Sequence, residues 1–190
     1  MSSRRLASVL SLAVALSTPA FAQDAGSAPG PSGFRGDYLG GLGYVQKEIM
    51  SLEEAMPQAK FTWRPAKGVR SVAEVYLHIA GGIYFLAGQM GREVPADVKG
   101  MDPKKWDTQT TKKDEIKAIL TKAFAFLAQT VKDTSDADLE KTHNFFGRDV
   151  SERALFMIIY GHCWEHLGQS IAYARSNGVV PPWSKPGTKD

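Results

Sequence analysis

From Asp37 to Met56 the apolar residues Tyr38, Leu42, Val45, Ile49 and Leu52 recur at intervals of three and four, the spacing that lines one face of an α-helix. Pro57 ends that run. A Pro/Gly loop, "FTWRPAKGVR", leads to Ser71, and Glu74 three residues later completes a capping box ahead of an apolar helix reaching about Met90. Gly91 to Thr110 is polar and holds two prolines, so it is expected to be a loop over one end of the domain. Thr111, with Asp114 and Glu115, starts a third helix, whose stripe is Ile116, Ile119, Leu120, Ala123, Phe126, Leu127 and Val131. A second loop containing "HNFFGRD" leads to Ser151, and the helix after it runs to about Ser176, stopping at Asn177 and Gly178. No stretch alternates convincingly as a strand, and there is no internal repeat. Four long helices with two long connections predict an all-α chain, a four-helix bundle with long interhelical loops.

The chain ends change how much of the sequence this bundle uses. Residues 1–22 have the grammar of an export signal: Arg4 and Arg5 precede an apolar run, and Ala20 and Ala22 form a small-residue cleavage site. The run from Leu6 to Leu16 is shorter than the roughly 20 apolar residues of a membrane helix, and no later stretch approaches that length. A periplasmic or secreted protein with no membrane span in its mature form is expected. Residues 23–36, rich in Gly, Ala, Pro and Ser, read as a flexible linker. The domain is placed at 37–184 and a C-terminal tail at 185–190. Two of the 23 basic residues and none of the 20 acidic ones fall in the leader, leaving 21 against 20 and a nearly neutral mature chain. No Lys/Arg cluster points to nucleic acid. The single cysteine, Cys163, allows no internal disulfide and is expected to be a buried small apolar residue.

Candidate chemistry lies in "YGHCWEHLGQSIAYAR", where His162 and His166 stand four residues apart. On a helix they share a face, about 40° apart, with Leu155, Ile159, Gln169 and Tyr173. His78, in the second helix, lies beside Val75 and Ile79, again toward the apolar arc. A buried imidazole left without partners costs about 1–3 kcal/mol. Three neutral imidazoles can instead hold a divalent ion at about 2.0–2.1 Å each and leave a coordination position open. The plainer reading is that the histidines are satisfied core residues, since an isolated HxxxH spacing is common without a metal. His143 sits in a polar loop beside Asn144 and is left out of the site, or at most at its mouth. "HCWEH" also matches the inverted zincin pattern, with Glu165 as general base, but that class completes its site with a downstream glutamate and none follows Glu165 here. Glu165 is then a flanking polar residue.

Two stretches resemble the DinB-like (DinB/YfiT) helical bundles. "WRPAKGVRSVAEVYLHIA" is similar to that family's pattern at Arg64, Pro65, Gly68, Ser71, Glu74 and His78, and "HCWEHLGQ" is similar to its HxxxHxxQ at His162, His166 and Gln169. "NGVVPPW" after the last helix adds to the likeness, which spans roughly residues 37–184. The resemblance implies a four-helix bundle in which His78, His162 and His166 hold a divalent metal ion (Zn, Ni or Fe) in a cleft, often in a homodimer. Characterised members of the family include thiol S-transferases and a thiol-dependent isomerase, in which the metal favours deprotonation of a bound thiol. The export leader separates this chain from a cytosolic thiol pool, so a metal-activated water acting on a small-molecule substrate is an equal expectation.

Two functions are therefore carried forward. One is an exported metal-dependent enzyme of transferase or hydrolase type. The other is a non-catalytic exported binding module with a structural metal or buried histidines. A metal-sequestering role fits less well, because no His-rich tract is present. The fourth helix is apolar nearly all round, with Phe156, Tyr160, Trp164, Leu167 and Ile171 opposite the histidines, so it is either central or covered by a second copy.

Overall fold

The computed structural model describes residues 30–187, apart from the side chains of Pro103 and Lys104. The expected export leader and the first half of the expected linker lie outside the described residues. Four long helices form the body: α1 (Gly33–Ala55), α2 (Val72–Gln89), α4 (Lys113–Asp133) and α5 (Glu152–Ser176); a one-turn helix α3 (Pro103–Trp106) sits in the long connection between α2 and α4. α2 packs against α4 and α5, and α1 packs against the same two, so α1 and α2 occupy opposite corners of the bundle. Among the described residues no helix is long and apolar enough to cross a membrane.

The predicted stripes are the buried faces. Tyr38, Leu42, Val45, Ile49 and Leu52 of α1 all face the core, as do Ile116, Leu120, Ala123, Leu127 and Val131 of α4. The capping box at the start of α2 is complete: Ser71 Oγ accepts from the Glu74 amide at 3.3 Å, and Glu74 Oε2 accepts from the Ser71 amide at 2.8 Å. The next orphan amides of that turn are met by backbone carbonyls of the preceding loop, Val72 to Trp63 and Ala73 to Phe61. α5 is capped by Ser151 and ends at Asn177, with Gly178 at φ +73° continuing into the tail, the left-handed conformation that favours glycine.

Two boundaries differ from the sequence reading. α1 begins at Gly33, inside the segment read as linker. Phe34 supplies the reason: its ring packs 5.8 Å from Tyr38 and lies under the Arg153 guanidinium at 4.9 Å, while Arg35 pairs with Asp136 at 2.9 Å. The loop expected before Ser151 contains a β-hairpin, β1 (Thr142–Phe145) paired antiparallel with β2 (Arg148–Ser151). Phe146 and Gly147 at its tip both have positive φ, 51° and 79°, which suits the right-handed twist of a two-residue hairpin. Four-residue strands carry too little alternation to be seen in sequence, and Phe-Gly is not the usual Asn-Gly signal.

Among the described residues a carboxylate lies in the core with both oxygens unpartnered. Glu53 on α1 is fully buried, and neither of its carboxylate oxygens has a hydrogen-bond partner among the described residues. Burial pushes the Glu53 carboxyl up to about 7 against the opposing pull of Lys113 and Lys117.

Candidate metal centre

The three inward histidines meet where α2 lies along α5. The candidate ligand atoms of His78, His162 and His166 all lie within 4.8 Å of one another, and the ring centroids are 4.5 to 5.0 Å apart. Gly82 is what lets α5 come this close. A Cβ at that position would sit 2.3 Å from His162 Cε1, so the ring of His162 occupies the space any side chain on α2 would need. One turn of helix separates His78 from Gly82, which places the second ligand donor beside the gap.

The ring nitrogens turned away from the cluster are held by acceptors. His78 Nδ1 lies 3.3 Å from Asp107 Oδ1, and His166 Nδ1 lies 2.8 Å from Gln169 Oε1. Both oxygens accept only, so each bond keeps the proton on Nδ1 and leaves the Nε2 lone pair for the cluster. Gln169 Nε2 then donates to Tyr173 Oη at 3.0 Å, and Tyr173 donates to the Arg70 carbonyl at 3.1 Å. The Arg70 guanidinium in turn bonds Asp107 Oδ2 at 2.6 Å. The supports of both histidines thus close on one residue, Arg70, at the entry to α2. Burial works against the Asp107 carboxyl, but the bonds from His78 and Arg70 hold it below the usual carboxylate range.

His162 stands apart, because its Nδ1 is buried with no hydrogen-bond partner. Burial, and then the neighbouring His166 and His78, lower its pKa to about 3. Burial also lowers that of His166, against the opposing bond to Gln169. Both imidazoles are therefore neutral near pH 7, the state in which they ligate a metal. The donor set fits a divalent ion. It offers three imidazoles, two with carboxylate or carboxamide partners on the far nitrogen, as metal-bound histidines almost always have, and a third with an orphaned buried nitrogen.

Asp107 and Arg70 could not be found from the sequence. Asp107 lies in the 91–112 connection, which folds back along α2 with Trp106 packed on Gly81 and Tyr84; the hint in sequence was the few apolar residues, Val94, Val98, Met101 and Trp106, set in a mostly polar loop. His143 is not part of the cluster. It pairs with the buried Glu152 at 3.1 Å, and Glu152 is also held by Arg92, so it ties the hairpin to the start of α5. Cys163 is fully buried and its thiol is pushed up to about 12 by that burial. Glu165 is exposed and lines a cavity next to the histidines.

Comparison with known proteins agrees with this architecture. A solved DinB-like protein from Bacillus cereus ATCC 10987 superposes with a TM-score of 0.64 at 21% identity, covering 76% of this chain and 93% of the other. A DinB-like protein from Bacillus subtilis, YjoA, gives 0.61 at 17% identity over 76% of this chain and 94% of its own. In sequence, the uncharacterized protein YjoA of Bacillus subtilis (strain 168) is 25% identical over 127 residues, 67% of this chain and 80% of the relative. The model of the DinB superfamily matches residues 42–170. That span takes in α2, the 91–112 connection and all three histidines, and with it this chain belongs to the DinB superfamily.

Proposed function

We propose that this protein is an exported metal-dependent enzyme, of transferase or hydrolase type, whose His78, His162 and His166 hold a divalent ion (Zn, Ni or Fe) with one position open to a small-molecule substrate. The observation that carries the reading is the buried, unpartnered Nδ1 of His162 beside two histidines whose outer nitrogens are already bonded. Without an ion this would be an unfavourable core. When bound, the ion would act as a Lewis acid, lowering the pKa of a thiol or water at the open position.

The chain's own residues have separable tasks. Asp107 and Gln169 orient the two outer imidazoles, and Arg70 fixes both orienting groups. Asp107 also fixes the ring orientation of His78 by accepting a hydrogen bond from its Nδ1–H. The apolar side chains of the adjoining cavity would limit the water around the reacting end once a substrate fills it. The leader of residues 1–22 supports export, and the exposed Met157 and Trp164 support a homodimer joined through α5.

The direct test is elemental analysis of the mature protein purified without a histidine tag. Close to one divalent ion per chain is expected, lost in His78→Ala and His166→Ala. Less than about 0.2 ion per chain, unchanged in those variants, would remove the metal from the reading. A cobalt-substituted sample whose spectrum ignores added thiol or anion would instead favour a closed structural site in a binding module.

A further inference from the structure

A cavity of about 890 Å³ opens beside the histidines, and its wall is mostly apolar, with Phe85, Val98, Met101, Trp106 and Ile158 among its lining. Its charged groups are two carboxylates. Asp107 is already satisfied by Arg70 and His78. Glu165, at the exposed side of α5 next to His166, has no hydrogen-bond or ion-pair partner among the described residues. No lysine or arginine among the described residues lines the cavity. The arginines near the site, Arg64 and Arg70, line a separate groove beyond Asp107.

This segregation of charge sets what can enter. An apolar body gains from burial against Trp106 and its neighbours. An anionic group would meet an uncompensated carboxylate at the mouth, and a cation would find there the ion-pair partner that Glu165 lacks. We propose that the cavity takes a neutral or singly cationic amphiphile, an aryl or alkyl body carrying an amino or similar donor group that pairs with Glu165, and that, away from the open position at the ion, it selects against anions. Glu165 is then a specificity-determining residue. As a statement about substrate this rests on the metal-enzyme reading above, because the cavity bears on a reaction through the histidines at its end.

The test uses three probes of similar shape on the full mature chain: phenylbutylamine, phenylbutanol and phenylpentanoate, titrated by calorimetry. Each is measured on protein of known metal content and again after chelation, so that a carboxylate binding the ion is separated from one binding the cavity. On chelated protein the amine should bind about tenfold more tightly than the carboxylate, a difference of about 1.4 kcal/mol, with the alcohol between them. Glu165→Gln, at an exposed position that should not disturb folding, should bring the amine and the alcohol within about twofold. Val98→Trp should weaken all three; where that variant unfolds, Ile158→Trp at the half-open rim replaces it. Equal or tighter binding of the carboxylate, no binding of any probe, or an amine preference untouched by Glu165→Gln would each overturn the proposal. A protein that is isolated without metal and takes up none when it is offered, yet still prefers the amine, would sink the metal reading and leave the cavity assignment standing. A metal-bearing protein without the preference would do the reverse.

Discussion

Gly82→Ala asks the most of the structure for the smallest chemical change. In the interior of α2 the substitution should stabilise the helix by about 1 kcal/mol on backbone propensity alone. Against that, the new Cβ would lie 2.3 Å from His162 Cε1, 2.8 Å from Nδ1 and 2.9 Å from Nε2. Carbon atoms in contact sit at about 3.5–4.0 Å, so the ring must retreat by roughly 1 Å or more, and overpacking of this kind costs about 1–3 kcal/mol. The two effects nearly cancel in stability. They do not cancel at the site, where ligand bonds of about 2.0–2.1 Å tolerate little displacement. The expected result is a metal affinity lowered on the order of 100-fold, read by competition with a chromophoric chelator, with the denaturation midpoint of the metal-free protein little changed. Gly43→Ala is the control, because a Cβ there would meet nothing within 4 Å; it should gain the propensity term and leave metal binding alone. Full metal occupancy and undiminished affinity in Gly82→Ala would show that His162 is not a ligand in this position.

Other outcomes are checked separately. Because the Glu53 carboxyl is raised from 4.5 to about 7 by burial, its contribution is intact below pH 4.5 and is lost as pH rises through 7. Two and a half units at about 1.4 kcal/mol each set an upper bound of about 3 kcal/mol. Urea denaturation should therefore show stability falling between pH 5 and 8 in the wild type and staying flatter in Glu53→Gln; parallel profiles would rule the mechanism out. Asp107→Asn keeps an acceptor for His78 but loses the charge, and should weaken metal binding by about tenfold in the same chelator competition. An unchanged affinity would leave Asp107 as a support of the loop alone. Light scattering should find a dimer that Trp164→Glu converts to monomer, whereas a monomeric wild type at high concentration ends the α5 interface proposal.

Much of the fold could be read from spacing because burial in this bundle is one-sided. Each expected stripe, such as Tyr38 through Leu52, is the face that packs, and Ser71–Glu74 marks the start of α2 because the cap is a local, self-contained arrangement of hydrogen bonds. The hairpin escaped because its register is set by Phe146 and Gly147 at positive φ and by Asn144 Oδ1 accepting from the Gly147 amide, not by any run of alternating residues. At the site, the histidines announced themselves as polar residues on an apolar face. Asp107 and Arg70 did not, since their meeting depends on the path of a connection over the outside of α2, and such a path leaves no period in the sequence. Gly82 reads in sequence as a helix-weakening residue; its use is visible only once the ring of another helix is seen in its place.

The position of α2 and α5 at neighbouring corners has a bearing on when the site comes into being. His162 and His166 are held by one helix, but His78 arrives from far upstream, so the third donor is delivered when α2 docks and not before. Ordering such a distant contact carries a loop-closure cost that local helix formation does not. An ion bound by all three would therefore act on the native state and scarcely on the unfolded chain, adding stability in proportion to the logarithm of its free concentration. The identity of the ion would then be decided by whichever metal is available where the chain completes its folding.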